Sequence, residues 1–272
     1  MNQQTLYNAV LGVARQAGEA IMQVYRRDDH GIQEKADKSP LTEADLAAHE
    51  IIKKGLAQLT PKLPQLSEED TEVPYSSRQH WESFWMIDPL DGTKEFIRRN
   101  DEFTVNIALI HNGHPVFGVI CLPVSGICYI GGQQMAPVKL IPGQPSQPLQ
   151  CRPLQQPVKV LASRRHKNDR DLPFLEKVAQ QFGPLQIDNY GSSLKMCVIA
   201  EGSADLYPRL YPTCEWDTAA AQAILEAAGG MMLSGDDLQP LRYNKPSLLN
   251  PDFFALGDPG FPRQLLGAKP ST

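Results

Sequence analysis

The chain has 272 residues, is 42% hydrophobic and 21% charged, and carries a formal net charge of −5. That length supports one large domain or two modest ones around a sizeable core. An acidic balance without a basic stripe argues against a protein of polymeric nucleic acid, and no apolar run reaches transmembrane length.

At the N-terminus, Leu6, Val10, Val13, Ala17, Ile21 and Val24 recur every three or four positions. This predicts an amphipathic helix over about Thr5–Arg26 rather than a signal peptide, so export is not expected. A second helix is predicted from Thr42, with Leu46, Ile51, Ile52, Leu56 and Leu59 as its apolar positions. Thr42 and Asp45 have capping-box spacing. Strands follow: "FWMID", "FTVNIALI" (Phe103–Ile110), "PVFGVICLPV" and "GICYIG". His111-Asn112-Gly113-His114 reads as a hairpin turn.

From Lys139 to Pro157 the chain is rich in proline and glutamine, which marks a boundary or surface connection between residues 1–150 and 151–272. Beyond it, "VKVLAS" reads as a strand, "PFLEKVAQQF" and "LKMCVIAEG" as helices, and "ADLYPRL" as a strand. "WDTAAAQAILEAAGG" reads as an alanine-rich helix stopped at Gly229. The expected class is α+β in the first half and α/β in the second. "SRRHKNDR" (Ser163–Arg170) is the densest basic patch and reads as a solvated loop unless it borders a site. The five cysteines are odd in number, widely spaced and without a CxxC, which predicts mostly buried free thiols in a reducing cytoplasm.

Acids cluster where elements end. Asp88 is expected to end the "FWMID" strand, Asp91 to follow the turn made by Pro89 and Leu90, and Asp217 to open the alanine-rich helix. Two carboxylates held close together cannot both stay ionised cheaply unless something positive joins them. A hard divalent cation such as magnesium suits oxygen donors, and few histidines lie near enough to favour zinc. Each acid alone has a simpler reading. Asp88 could serve a turn, Asp217 the helix macrodipole, "SEED" (Ser67–Asp70) a solvated loop, and Asp45 a helix cap.

Together, "SPLTEAD", "LSEED", "WMIDPLDGTKEFI", "FTVNIALI", "GSSLKMC" and "EWDTAAAQAIL" resemble, in order, the magnesium-dependent, lithium-sensitive phosphatases of the inositol monophosphatase superfamily. "SEED", "GTKEF" and "GSSLK" look closest to its 3′(2′),5′-bisphosphate nucleotidase branch of bacterial sulfur assimilation. The resemblance implies a layered αβαβα sandwich of the inositol monophosphatase and fructose-1,6-bisphosphatase type. It implies two or three magnesium ions (Mg2+) held by Glu68, Asp88, the Leu90 carbonyl, Asp91 and Asp217. It implies a catalytic pair, Asp45 and Thr93, acting on the attacking water. It implies substrate contacts from Glu68, Gly92, Thr93, Ser192, Lys195, Arg209 and Asp217, with Lys38 near the metals. The implied substrate is a small nucleotide bisphosphate, adenosine 3′,5′-bisphosphate or its sulfated precursor. The implied protein is a cytoplasmic monomer or homodimer without an obligate protein partner, or one peripheral on the cytoplasmic side of the inner membrane.

An inositol or sugar phosphatase is the nearest alternative. A non-catalytic nucleotide sensor is another, but binding alone would not need an arranged nucleophile. A haloacid-dehalogenase-like phosphatase does not fit, because its D-x-D-x-T nucleophile motif differs from the Asp88, Asp91, Thr93 spacing.

Overall fold

The structure is a computed structural model that describes residues 2–27, 29–34, 40–70, 73–163 and 170–267. Helix α1 (Gln3–Tyr25) is capped by Asn2, whose Oδ1 accepts from Thr5 N at 2.8 Å. It buries Val10, Ala14, Ala17 and Ile21 on one stripe, as the spacing predicts. A short ribbon, β1 (Gln33–Glu34) with β2 (Pro40–Leu41), leads to α2 (Glu43–Leu59). Thr42 caps α2: its backbone N donates to Asp45 Oδ2 at 2.8 Å, and Ala44 N donates to its Oγ1 at 3.2 Å.

The first sheet contains β3 (Gln65–Ser67), β4 (Ser83–Asp91), β5 (Thr104–His111), β6 (His114–Cys121), β7 (Cys128–Gly132), β8 (Met135–Leu140) and β9 (Gln147–Pro148), in that spatial order. β3 and β4 pair in parallel and the rest antiparallel. The turn between β5 and β6 is at Asn112-Gly113, both with positive φ, as a tight hairpin requires. Short helices α3 (Tyr75–Arg78) and α4 (Thr93–Ile97) flank β4. The proline-rich stretch expected as a boundary contains β9, which extends the first sheet by one strand.

The second sheet follows the order β11-β10-β12-β14-β13. Its strands are β10 (Lys159–Ser163), β11 (Gln186–Tyr190), β12 (Leu206–Arg209), β13 (Met231–Ser234) and β14 (Phe253–Leu256). β11, β10 and β12 are parallel neighbours, whereas β14 and β13 return antiparallel. The helices of this half are α5 (Asp171–Phe182), α6 (Leu194–Ala200), α7 (Trp216–Ala227) and α8 (Arg263–Leu266).

Three apolar clusters define the layers. One joins α1 and α2 to the first sheet, through Trp85, Ile87 and Phe117. A second lies between the sheets around α6 and α7, and includes Phe84, Met86, Ile199, Ile224 and Phe253. A third joins the second sheet to α5 and α8, through Val160, Phe174, Phe254 and Leu265. The order helix, sheet, helix, sheet, helix is the expected αβαβα sandwich. Because both faces of β4 are covered, "FWMI" is a continuous apolar run. The alanine-rich α7 lies unusually close to β6. A Cβ added at Gly118 would fall well inside contact distance of the Ala220 backbone carbonyl, so only glycine admits the helix there. All five cysteines are free; Cys121, Cys128 and Cys197 are buried, and Cys151 and Cys214 partly so.

Candidate active site

Strand alternation aims the first acid. On β4, Trp85 and Ile87 face α1 and α2, while Phe84 and Met86 face α7. Asp88 continues the second set, so its side chain points between the sheets toward the start of α7. Asp88 does not end the strand, as the sequence suggests. β4 continues to Asp91, with a register shift between Asp88 and Asp91 where Leu90 N turns to donate to Asp88 Oδ1 at 3.0 Å. The bulge fits an extra residue into the strand and presents both acids at one edge. Ser67 pairs with Ile87 across β3, and Glu68 N donates to Ile87 O at 3.0 Å. This brings Glu68 beside Asp88. Asp217 arrives from the first turn of α7, with its Oδ2 accepting from Cys214 N at 2.9 Å.

Ligand atoms of Glu68, Asp88 and Asp217 lie within 4.8 Å of one another. The Asp88 carboxyl is pushed well above its ordinary range, first by burial and then by Glu68, Asp91, Asp217 and Asp45. Asp217 is pushed up as well, by burial, then Asp91 and Glu68. A set of hard oxygen donors whose charges oppose each other fits a divalent cation such as magnesium.

Asp91 sits at the edge of this group. Its Oδ2 accepts from Ser193 N at 2.6 Å and from the Ser192 hydroxyl at 2.7 Å. Thr104 Oγ1 lies 2.7 Å from Ser192 Oγ and 2.8 Å from Ser193 Oγ, and Ser193 Oγ donates to Asn106 Oδ1 at 2.9 Å. Glu102 holds the same loop by accepting from Gly191 N at 2.7 Å. Sequence reasoning missed Glu102, Thr104, Asn106 and Ser193. Their signal was two polar residues, 104 and 106, on alternate positions of an otherwise buried strand.

Gly92 takes φ 94° and ψ 40° and turns the chain into α4. The next residue, Thr93, donates its hydroxyl toward Asp45 Oδ1 at 3.3 Å and lies 3.4 Å from the Leu90 carbonyl. Asp45 therefore uses Oδ2 to cap α2 and Oδ1 to meet Thr93. The capping reading and the catalytic-pair reading describe two oxygens of one carboxylate.

Lys195 is 4% exposed and not a solvated residue at a helix start. Its Nζ donates to Ser192 O at 2.6 Å and Tyr190 O at 3.2 Å, and lies 5.1 Å above the Tyr207 ring. Burial lowers its pKa to about 8, with Asp91 opposing and Arg209 adding to the shift. Lys195, Arg209, Gly92, Ser192, Asp91 and Asp217 all line one cavity of about 110 Å3. Arg209 is held over the Tyr211 ring and donates to the Tyr211 and Pro212 carbonyls. Lys38 and residues 164–169 of the basic patch lie outside the described residues.

Behind Asp217, Glu215 is fully buried and accepts from Asn244 N at 2.6 Å, Lys245 N at 3.1 Å and Lys245 Nζ at 2.5 Å. The carbonyls of that loop are bound in turn by buried Arg78, at 2.7 Å to Lys245 O and 3.0 Å to Pro246 O.

The sequence model of the inositol monophosphatase family matches residues 2–252. The chain is 46% identical over 250 residues to the 3′(2′),5′-bisphosphate nucleotidase CysQ of Escherichia coli K12, covering 91% of this chain and 98% of that protein. It is 48% identical over 246 residues to the CysQ nucleotidase of Salmonella typhimurium, covering 90% and 96%. Among solved structures, CysQ of Bacteroides thetaiotaomicron superposes with TM-score 0.83 at 39% identity, covering 93% of this chain and 97% of that one.

Proposed function

The chain belongs to the inositol monophosphatase family, and on that premise we propose that it is a magnesium-dependent 3′(2′),5′-bisphosphate nucleotidase. It removes the 3′-phosphate of adenosine 3′,5′-bisphosphate to leave AMP and phosphate, and also accepts the sulfated precursor, 3′-phosphoadenylyl sulfate. The observation that carries this reading is the convergence of Glu68, Asp88 and Asp217 beside a cavity lined by buried Lys195. The nearly full-length similarity to CysQ nucleotidases supports the substrate.

In this reading Glu68, Asp88, the Leu90 carbonyl, Asp91 and Asp217 hold two or three magnesium ions. Bound ions would acidify a water and offset charge on the departing oxygen. The protein's own groups supply the rest. Thr93 accepts a proton from the attacking water as it passes its own hydroxyl proton to Asp45 Oδ1, which ends protonated. Gly92, without a Cβ, lets the backbone approach the scissile phosphate. Lys195 and Arg209 hold the remaining 5′-phosphate, and this remote contact positions the 3′-phosphate for attack. Ser192 keeps Asp91 oriented at the boundary between the two phosphates. The setting is cytoplasmic sulfur assimilation, with a small-molecule substrate and no obligate protein partner. Lithium at millimolar levels inhibits where sodium at equal ionic strength does not, because a small monovalent ion supplies too little charge in a magnesium position.

The test is phosphate release by purified protein with magnesium, on adenosine 3′,5′-bisphosphate, its sulfated precursor and inositol 1-phosphate. Wild type prefers the bisphosphate, and Lys195→Ala lowers kcat/KM on it far more than on a monophosphate. A wild type that prefers the inositol ester would overturn the substrate and leave the phosphatase chemistry standing.

A further inference from the structure

We propose that Asn106 is a positioning residue for Asp91, its amide nitrogen heading a one-way chain of hydroxyl protons that runs through Ser193, Thr104 and Ser192 to the Asp91 carboxylate. The inference rests on the reading of Asp91 as a metal ligand. Strand β5 carries the head of the chain. Its residues Ala108 and Ile110 belong to the layer between the sheets, and Val105 and Ile107 to the layer under α1 and α2. Alternation puts Thr104 and Asn106 on the first of these faces, with Asp91 and Asp88 as their register partners on β4. Both are buried. Ser192 and Ser193 come from the other half, on the turn between β11 and α6, where Ser192 takes a left-handed φ of 54°.

A hydroxyl has one proton to give, and an ionised carboxylate has none. The Ser192 proton goes to Asp91 Oδ2, at 2.7 Å. Four approaches remain: Thr104 Oγ1 to Ser192 Oγ at 2.7 Å, to Ser193 Oγ at 2.8 Å and to Asn106 Oδ1 at 3.1 Å, and Ser193 Oγ to Asn106 Oδ1 at 2.9 Å. Thr104 and Ser193 have one proton each, too few to serve all four. Asn106 Nδ2 meanwhile is buried, with protons to give and no partner among the described residues. Half a turn of the amide exchanges Nδ2 and Oδ1 and balances the count. Nδ2 then faces Ser193 Oγ and Thr104 Oγ1 and donates across the pair. Ser193 donates to Thr104, Thr104 to Ser192, and Ser192 to Asp91. The orphan becomes a carbonyl oxygen, which protein interiors tolerate more often than an orphaned N–H.

The direction of the chain matters to the site. With the amide as donor, no acceptor competes with Asp91 for the Ser192 proton. Bonds aligned in one sense polarise one another. Asp91 Oδ2 thus takes a strengthened bond from Ser192 beside the Ser193 N–H at 2.6 Å. Both donors hold the same oxygen, which leaves Oδ1 for a cation. The chain also keeps Ser192 in a backbone conformation that only glycine adopts freely. It thereby ties the β11–α6 turn of one half to the acids of the other.

The experiment has two arms. A neutron crystal structure of the full-length protein shows the amide directly through its deuterons. Deuterons are expected on the Asn106 atom that faces Ser193 and Thr104, and a bare oxygen there would overturn the proposal. The second arm titrates magnesium into chelator-treated protein by calorimetry. Thr104→Val, checked for its fold by circular dichroism, should weaken magnesium about 10-fold, the lower end of the loss for a group behind a metal ligand. Asn106→Leu should do the same. Thr104→Ser, which keeps the hydroxyl, should restore wild-type affinity, whereas a packing role would not be rescued by the smaller side chain. Wild-type affinity in Thr104→Val would overturn the positioning role and leave the metal reading of the site intact. A wild type that takes up no magnesium would overturn that reading, and the positioning role with it.

Discussion

Glu215 and Asp217 stand two residues apart at the start of α7, yet the fold treats their charges differently. Glu215 receives two backbone N–H groups and the Lys245 ammonium, all within 3.1 Å. Asp217 receives one N–H, from Cys214, and faces Asp91 and Glu68; loss of solvent first, and then those two charges, push its pKa up. A chain that can pair a buried carboxylate so completely has not done so at the neighbouring position. Glu215 is fully buried while Asp217 is half-buried on the cavity, so the two acids differ both in exposure and in the partners the fold gives them. Where a charge holds a loop, the protein supplies the counter-charge. Where charges oppose one another across three elements, the site is built for a cation.

The sharpest break comes at Asp88. Asp88→Asn should lower kcat by at least ~100-fold, the scale of losing a transition-state electrostatic contact. The same change should raise the melting temperature of the chelator-treated protein, because it removes a charge opposed by Glu68, Asp91 and Asp217. Kinetics beside calorimetry reads both, and a lower melting temperature would erase the contrast with Glu215. Glu215→Ala should do the reverse in stability and cost about 3 kcal/mol, since it strands an ammonium and two N–H groups. Urea unfolding measures it, and a loss within experimental error would show that the network is ornamental.

A pH series sharpens the same comparison. Asp88 and Asp217 have folded pKa values above the unfolded carboxylate value of about 4. Over that window the folded state binds more protons than the unfolded, so stability falls as pH rises toward the raised values. Chelator-treated wild type should therefore lose stability on going from pH 4 upward (pH ~4 being the unfolded reference), and Asp88→Asn should flatten the slope. A wild type that gains stability there would contradict the raised values. The smallest effect is expected at Asp45, which combines both behaviours in one side chain. Thr42→Ala removes the hydroxyl that helps tie Oδ2 and should cost about 1 kcal/mol. It should reduce turnover much less than Thr93→Ala, which acts at Oδ1. Equal losses of kcat would mean that the two oxygens are not separable.

The acids and Thr93 were legible because their motifs are short and local: two aspartates around Pro89, then Gly92 and Thr93. The first two helices carried clean periodicity, α2 with its capping box, and the "FWMI" run announced a buried strand. Supporting residues were not legible, because their meaning depends on distant partners. Glu215 lies in "TCEW" without a local pattern, and its partners are about thirty residues away on a loop. Arg78 acts on carbonyls more than 160 residues further along. The strand end expected at Asp88 moved because a bulge, invisible in composition, carries the strand on to Asp91. β13 and β14 were missed because short apolar segments do not reveal their partners or direction.

Gly118 lies on β6, among the apolar layers rather than the acids, and its missing Cβ is what lets Ala220 of α7 rest against the sheet. Asp217 rides on that helix and Asp88 on that sheet. The spacing of the two carboxylates is therefore gauged by an atom the sequence leaves out. Gly118→Ala would act as a wedge, lifting one carboxylate from the other while no acid was itself changed. A genetic screen scoring only lost turnover would rank this glycine with the carboxylates, and a map of the site drawn from such a screen would include a position that touches nothing reactive.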